Sequence, residues 1–354
     1  MNIDRAEVES WENGIRGMML GLALGESFGR GLHPHPSRVI RAGVSTQLAA
    51  FTTEGLIRAM VRMSHKGICS PPDVIWQAYR RWAKGQGISI APTVSDAAMA
   101  GEADGWLKDV SALRERRGSS PSTVTALQSG HPGTPERPTN QSMGCQGLTR
   151  VLPLAVLAFQ GRTDQAVDLA RRVTALSHGS PVGLGVTAAG IAVAAHCIRC
   201  DDAQDGLHEG ANATHHLGLP TSVSNQYLAV LGLEYGKGSL PRLREIAPDK
   251  TSRSALLGGM YVASTYPHPH QFTEALAFAA QAPDGDSVGA VTGALLGASH
   301  GASQLPVDLV SRHELAWVLD TLARDAVLEL TDSPGGSDYE TPRDRHWLTR
   351  YPGW

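Results

Sequence analysis

Glycine recurs at every fourth position in two stretches of this 354-residue chain: Gly17, Gly21, Gly25 and Gly29 near one end, and Gly289, Gly293, Gly297 and Gly301 near the other. In a helix this spacing keeps all four positions on one face. A glycine inside a helix costs about 1 kcal/mol relative to alanine. Eight of them in two otherwise good helical stretches need a structural reason. A face without side chains admits either a second helix backbone or a ligand to very short range, and spacing alone leaves both open. The membrane version of the pattern is disfavoured by Glu26 and His300, which lie within or beside the two stretches.

The rest of the chain reads as helical too. Hydrophobic residues make up 42% but aromatics only 5%, so the core must be aliphatic and alanine-rich, which favours close-packed helices. Apolar periodicity predicts helices over residues 11–29, 48–63, 72–83, 165–176, 181–199, 226–235, 255–264, 272–280, 288–298 and 312–330. No alternating run bounded by turns suggests a sheet. The expected fold is all-α, a compact orthogonal bundle of many helices forming a single domain over residues 1–332. The stretch 114–141, rich in Ser, Thr, Pro, Gly and Arg, reads as a long and therefore functional loop. Residues 333–354 lack periodicity and read as an irregular tail, on the surface or equally disordered.

The formal charge of −3 without a basic stripe argues against a nucleic-acid partner. The first residues are polar and acidic rather than basic and then apolar. No run reaches the roughly 18 apolar residues of a bilayer span; the nearest is 182–197. The expectation is a cytoplasmic chain with no membrane partner. Cys197 and Cys200 form a C-x-x-C pair beside His196, but no second ligand pair stands at zinc spacing. Two thiols one turn apart at a helix end is the simpler reading.

Three constellations can carry chemistry. Asp284, Asp286 and Ser287 lie around Gly285. Residues two apart do not share a helix face, but from a turn two carboxylates and a hydroxyl can converge on a hard cation such as magnesium. The same residues can equally serve only to cap the following helix. Residues 140–147 (NQSMGCQG) place Asn140, Ser142, Gly144, Cys145 and Gly147 in a small polar cradle, suited to phosphate or ribose or simply to a turn. His178 stands at a helix junction, where a structural role is the commoner one.

Taken together, these motifs resemble the ADP-ribosylglycohydrolases of the dinitrogenase-reductase-activating type, from about Asn13 to Leu330. Gly17 to Gly29, with Glu26-Ser27-Phe28, looks like the family's G-x-x-x-G-x-x-x-G-D-A-x-G helix. Thr46 to Leu56 resembles the helix after its first metal motif. Asn140-x-Ser142-x-Gly144-Cys145-x-Gly147 with Arg150 and Pro153 is similar to N-x-S-K-G-C-G-G-x-M-R-x-x-P. His178-Gly179 resembles T-H-G, and Asp284-x-Asp286-Ser287-x-Gly289 resembles D-x-D-[ST]-x-G. The resemblance implies an all-helical bundle in which two magnesium ions help to hydrolyse an N- or O-glycosidic bond of ADP-ribose. It implies Asp284 and Asp286 as catalytic residues, Asp284, Asp286 and Ser287 as metal ligands, and Asn140, Ser142, Gly144, Cys145, Gly147, His178, Thr46 and Glu26 as substrate-binding residues.

The chain departs from that pattern at one edge of the expected cleft. The family's (S/T)-D-D-T has no counterpart: Ser45 is followed directly by Thr46. His33 stands near the place of another acidic residue, Met143 replaces the lysine and Gln146 a glycine. Two fewer carboxylates leave two doubly charged ions poorly compensated, so at most one weakly held magnesium is expected. Three functions follow: a divergent hydrolase of an ADP-ribosyl or ribosyl substrate, small molecule or modified protein; an inactive module binding ADP-ribose, a nucleotide or a protein; or an enzyme turned to a ribosylated metabolite.

Overall fold

A computed structural model describes residues 4–31, 38–92, 105–219, 221–232 and 238–353. Its longer helices are α1 (Arg5–Gly29), α2 (Val44–Lys66), α3 (Pro71–Gly85), α4 (Pro121–Ser129), α5 (Thr163–Ala175), α6 (Pro181–Arg199) and α7 (Ala203–Ala213). They are followed by α8 (Thr221–Leu231), α9 (Leu240–Ile246), α10 (Ser252–Thr265), α11 (Phe272–Ala279), α12 (Gly285–His300), α13 (Val307–Arg312) and α14 (Ala316–Asp332). Among the described residues, extended pairing is limited to isolated bridges such as Ile40 with His313 and Gly144 with Thr251.

The two glycine ridges meet each other. A Cβ placed on Gly17, Gly21, Gly25 or Gly29 would lie 2.0, 2.0, 1.8 or 2.1 Å from the carbonyl oxygen of Gly297, Gly293, Gly289 or Gly285. The pairing runs in reverse order, so α1 and α12 are antiparallel and touch backbone to backbone. These glycines serve helix packing, and the ligand reading of the ridges is set aside. The seam forms the centre of the bundle. α14 packs on the far side of α1, while α10, α6 and α11 pack on α12. α2 bridges α3 and α14. One hydrophobic cluster runs from Trp11 to Tyr351. α6 is long and apolar enough to cross a bilayer, contrary to the expectation that no stretch was, yet 83% of its apolar window is buried in the fold.

Several boundaries differ from expectation. α2 begins at Val44 rather than Leu48. α4 lies inside the stretch read as a loop. The predicted helix 312–330 is divided between α13 and α14 by the turn around His313. Of the predicted 226–235, residues 233–235 fall outside the described residues, as does His33. The last residues are no surface appendage: Trp347 and Tyr351 are buried, Arg58 Nε donates to the Pro352 carbonyl at 2.7 Å, and Arg62 donates to that of Gly353 at 3.1 Å.

Candidate active site

α12 starts at Gly285, with Asp284 in its N-cap position at φ −119°, ψ 61° and making no side-chain cap bond. Neither Asp286 nor Ser287 caps the helix, in contrast to the capping alternative; both lie in its first turn. The non-helical backbone at Asp284 swings its carboxyl toward residues of that turn. Asp284 is buried and interacts with the side chains of Asp286, Ser287 and Cys145. Its Oδ2 is buried without a hydrogen-bond partner inside the protein. Burial, reinforced by the Asp286 charge, raises the Asp284 pKa above the usual carboxyl range. Burial and the Asp284 charge push the Cys145 thiol up to about 12. Cys145 is thus a neutral neighbour of the acids rather than a nucleophile.

The cradle is stitched to three other segments. Cys145 N–H donates to the Lys250 carbonyl at 3.1 Å, and Ser252 N–H to that of Met143 at 2.8 Å, fixing it against α10. Asn140 Oδ1 accepts from Ser142 N–H at 2.8 Å and Gly179 N–H at 3.3 Å, and its Nδ2 donates to the Ser177 carbonyl at 3.0 Å. The Ser142 hydroxyl accepts from Gly144 N–H at 3.3 Å and lies 2.8 Å from that of Ser122 on α4. His178 packs against Gly144 and Gly147, where an added Cβ would sit 3.4 Å and 3.2 Å from its ring. Its Nδ1 lies 2.9 Å from the Ser177 hydroxyl. Burial, then the Arg150 charge, holds its pKa well below the ordinary imidazole range. A neutral His178 is suited to orienting the cradle rather than carrying charge.

Glu26 and Thr46 find each other. Ser45 N–H donates to Glu26 Oε1 at 2.8 Å; Thr46 N–H and Thr46 Oγ1 donate to Oε2 at 2.9 and 2.6 Å. The structure therefore brings Asp284, Asp286, Ser287 and Cys145 into one cluster. It joins Asn140, Ser142, Gly144, Gly147 and His178 into the adjoining wall, and leaves Glu26 and Thr46 as a closed pair at the start of α2.

Sequence reasoning assigned no role to Arg150, Ser120 or Ser122. Arg150 is fully buried beneath the cradle. It donates to Thr123 Oγ1 at 2.8 Å and to the Val173 carbonyl at 3.2 Å, with its guanidinium 4.6 Å from the Tyr79 ring centroid. Ser120, at φ +41°, hydrogen-bonds Gln146 Oε1. The Ser120-Pro121 pair was the available signal, because proline is favoured in the first turn of a helix.

Asp284, Asp286 and Ser287 supply two carboxyls and a hydroxyl, which fits one hard cation. Among the described residues, no group of three or more His, Cys, Asp or Glu is placed to hold a metal ion. At the start of α2 the Glu26 carboxylate is engaged by Ser45 and Thr46 of the protein itself. Cys197 and Cys200 take no part: both are free thiols, and burial pushes both pKa values up, that of Cys200 to about 11.

The architecture defines the class. It is similar to a solved structure described as an ADP-ribosylglycohydrolase-related protein complex, with a TM-score of 0.58 and 18% identity, covering 91% of this chain and 99% of that one. At that identity the likeness establishes an all-α fold of the ADP-ribosylglycohydrolase kind. The sequence then decides the family: the ADP-ribosylglycohydrolase profile matches residues 7–336, and the chain belongs to the ADP-ribosylglycohydrolase family. No curated protein matches it significantly.

Proposed function

We propose that this protein is a glycohydrolase that cleaves the N- or O-glycosidic bond of an ADP-ribosyl or ribosyl group, carried by a small molecule or a modified protein. The observation that carries the reading is the buried, unpartnered Asp284 Oδ2 beside Asp286 and Ser287. Folding has brought a carboxyl oxygen out of water without giving it a donor. Such an unmet acceptor costs about 1–3 kcal/mol, and beside a second carboxyl and a hydroxyl it is available to a ligand.

Cleavage at an anomeric carbon needs a proton for the leaving group and a base for water. Asp284, its pKa raised by burial and by Asp286, retains a proton to higher pH than an ordinary carboxyl and can deliver it at Oδ2. Asp286, half-buried, is placed to accept the proton of the attacking water. Magnesium, if bound, would be held as a single weak ion by the ionised Asp284 and Asp286 with Ser287 and would polarise ribose hydroxyls or water; the acid role of Asp284 belongs to the ion-free site. The cradle from Asn140 to Gly147 positions the ribose and phosphates, and His178 keeps its wall uncharged.

The test is release of free ADP-ribose from ADP-ribosylated peptides and small ADP-ribosides, with magnesium or with a chelator. Wild type is expected to turn over, and Asp284→Asn and Asp286→Asn each to lose about 100-fold or more in rate at a melting temperature no lower than that of wild type. Silence of the wild type at high enzyme concentration, under both conditions, rejects the reading. The saturation of Glu26 also favours a second one, a module that binds without turnover. Calorimetry with ADP-ribose beside the rate assay separates the two, since binding with no product supports only the module.

A further inference from the structure

α2 starts without a cap of its own. Its N-cap residue is Gly43, which has no side chain, and the first amides of any helix lack partners within it. The donors at Ser45 and Thr46 are met instead by the Glu26 carboxylate, reaching across from the last turns of α1. Thr46 Oγ1 adds the shortest of the three bonds, 2.6 Å. Glu26 is only 2% exposed. Gly43 is fitted to it, because a Cβ there would lie 2.2 Å from the Glu26 carboxyl carbon. The next residue, Ser27, ties the chain leading into α2 by donating to the Arg41 carbonyl at 2.9 Å.

The helix that carries this clasp also reaches the acids. Gly29 lies three residues beyond Glu26, about 4.5 Å along the helix. A Cβ on Gly29 would be 2.2 Å from the backbone nitrogen of Asp286. The end of α1 therefore borders both the start of α2 and the start of α12. A negative side chain already sits on the positive end of the α2 dipole there, an arrangement that is favourable in itself. Glu26 itself is thereby engaged with the protein rather than free to draw a cation.

We infer that Glu26 is a positioning residue: it fixes the start of α2 on the last turns of α1, which also border the acids of α12, so that this edge is held by a protein carboxylate rather than by a second metal ion. The inference rests on the proposed glycohydrolase reading for its catalytic meaning, but not for its structural content.

The test pairs manganese(II) binding, counted by electron paramagnetic resonance, with amide hydrogen exchange at Ser45 and Thr46. Wild type is expected to take up no more than one manganese ion and to protect both amides. Glu26→Gln replaces one acceptor oxygen by a donor. It should speed exchange at these amides about tenfold or more and leave the manganese count unchanged. Thr46→Val removes a single bond and keeps the fold; it should speed exchange by a smaller factor, and Thr46→Ser should restore protection. Asp284→Asn should abolish manganese binding and leave the exchange untouched. Two ions on the wild type, or a Glu26→Gln protein that loses manganese with its amides still protected, would overturn the inference by making Glu26 a ligand. If Asp284→Asn still hydrolyses substrate, the glycohydrolase assignment of that acid fails, while the exchange data still decide the clasp.

Discussion

Glu329 on α14 has one carboxyl oxygen with two donors and another with none. Trp347 Nε1 and the Ser333 hydroxyl both donate to Oε2 at 2.8 Å, while Oε1 is buried and unpartnered. Burial outweighs both bonds and raises its pKa to about 7. An unfolded glutamate titrates near pH 4.3. Between those values the folded protein holds a proton that the unfolded chain has released, so stability declines as pH rises through this window and levels off above pH 7. Glu329→Gln mimics the protonated form. Its melting temperature should exceed that of wild type at pH 8, match it near pH 5, and vary less between the two. Equal pH dependence in the two proteins would rule Glu329 out as the source. Burial in the fold, not the acid itself, imposes this behaviour, so nothing in the local sequence could have announced it. Glu26 makes the same point. Its position within the glycine helix was legible from spacing, but its partners lie some twenty residues away, and only the fold shows that Thr46 meets Glu26.

The seam between α1 and α12 is the element most legible in the sequence. Spacing by four declared a bare face on each helix. What it could not declare was the visitor, because an absence of side chains fits a backbone and a ligand equally well. The contact is carbonyl oxygen against the place of a Cβ, and no flexible side chain is there to yield. Gly21→Ala is therefore expected to destabilise the protein by about 3 kcal/mol or more, seen as a marked fall in the denaturation midpoint. Gly293→Ala opposite it should do the same. The double variant should fall short of the summed losses, because a seam already opened by one methyl accommodates the second; strict additivity would mean that the two positions do not face each other. Helix ends were harder to read. α2 begins early because its cap comes from another helix. α4 was overlooked because its N-cap residue, Ser120, hydrogen-bonds to Gln146 instead of to its own helix. The Asp284–Ser287 cluster was legible in its residue types, whereas its geometry required the N-cap backbone at Asp284.

For the molecule as a whole, the last residues close the bundle. Tyr351 is completely buried and donates to Asp325 Oδ2 at 2.5 Å; Arg350 pairs with the same carboxylate at 3.1 Å and stacks 4.8 Å from the Trp106 ring centroid. Tyr351→Ala should cost about 3–5 kcal/mol, a loss that chemical denaturation will resolve, whereas a truly peripheral tail would lose almost nothing. The segment lacked periodicity because single anchors, not an amphipathic face, hold it. The fold class came from patterns that repeat; the tail and the Glu26 clasp, which do not repeat, had to be seen.

The glycine seam also sets an order in time. Roughly 250 residues of chain separate the end of α1 at Gly29 from the start of α12 at Gly285. A ribosome adding about 5–20 residues per second makes the first glycine strip tens of seconds before its mate exists. Until then α1, whose residues from Ile15 to Phe28 are almost all interior in the finished protein, has no helix to seat its glycine face against. The stretch synthesised first must wait longest, shielded by provisional company, before the centre of the molecule can form around it.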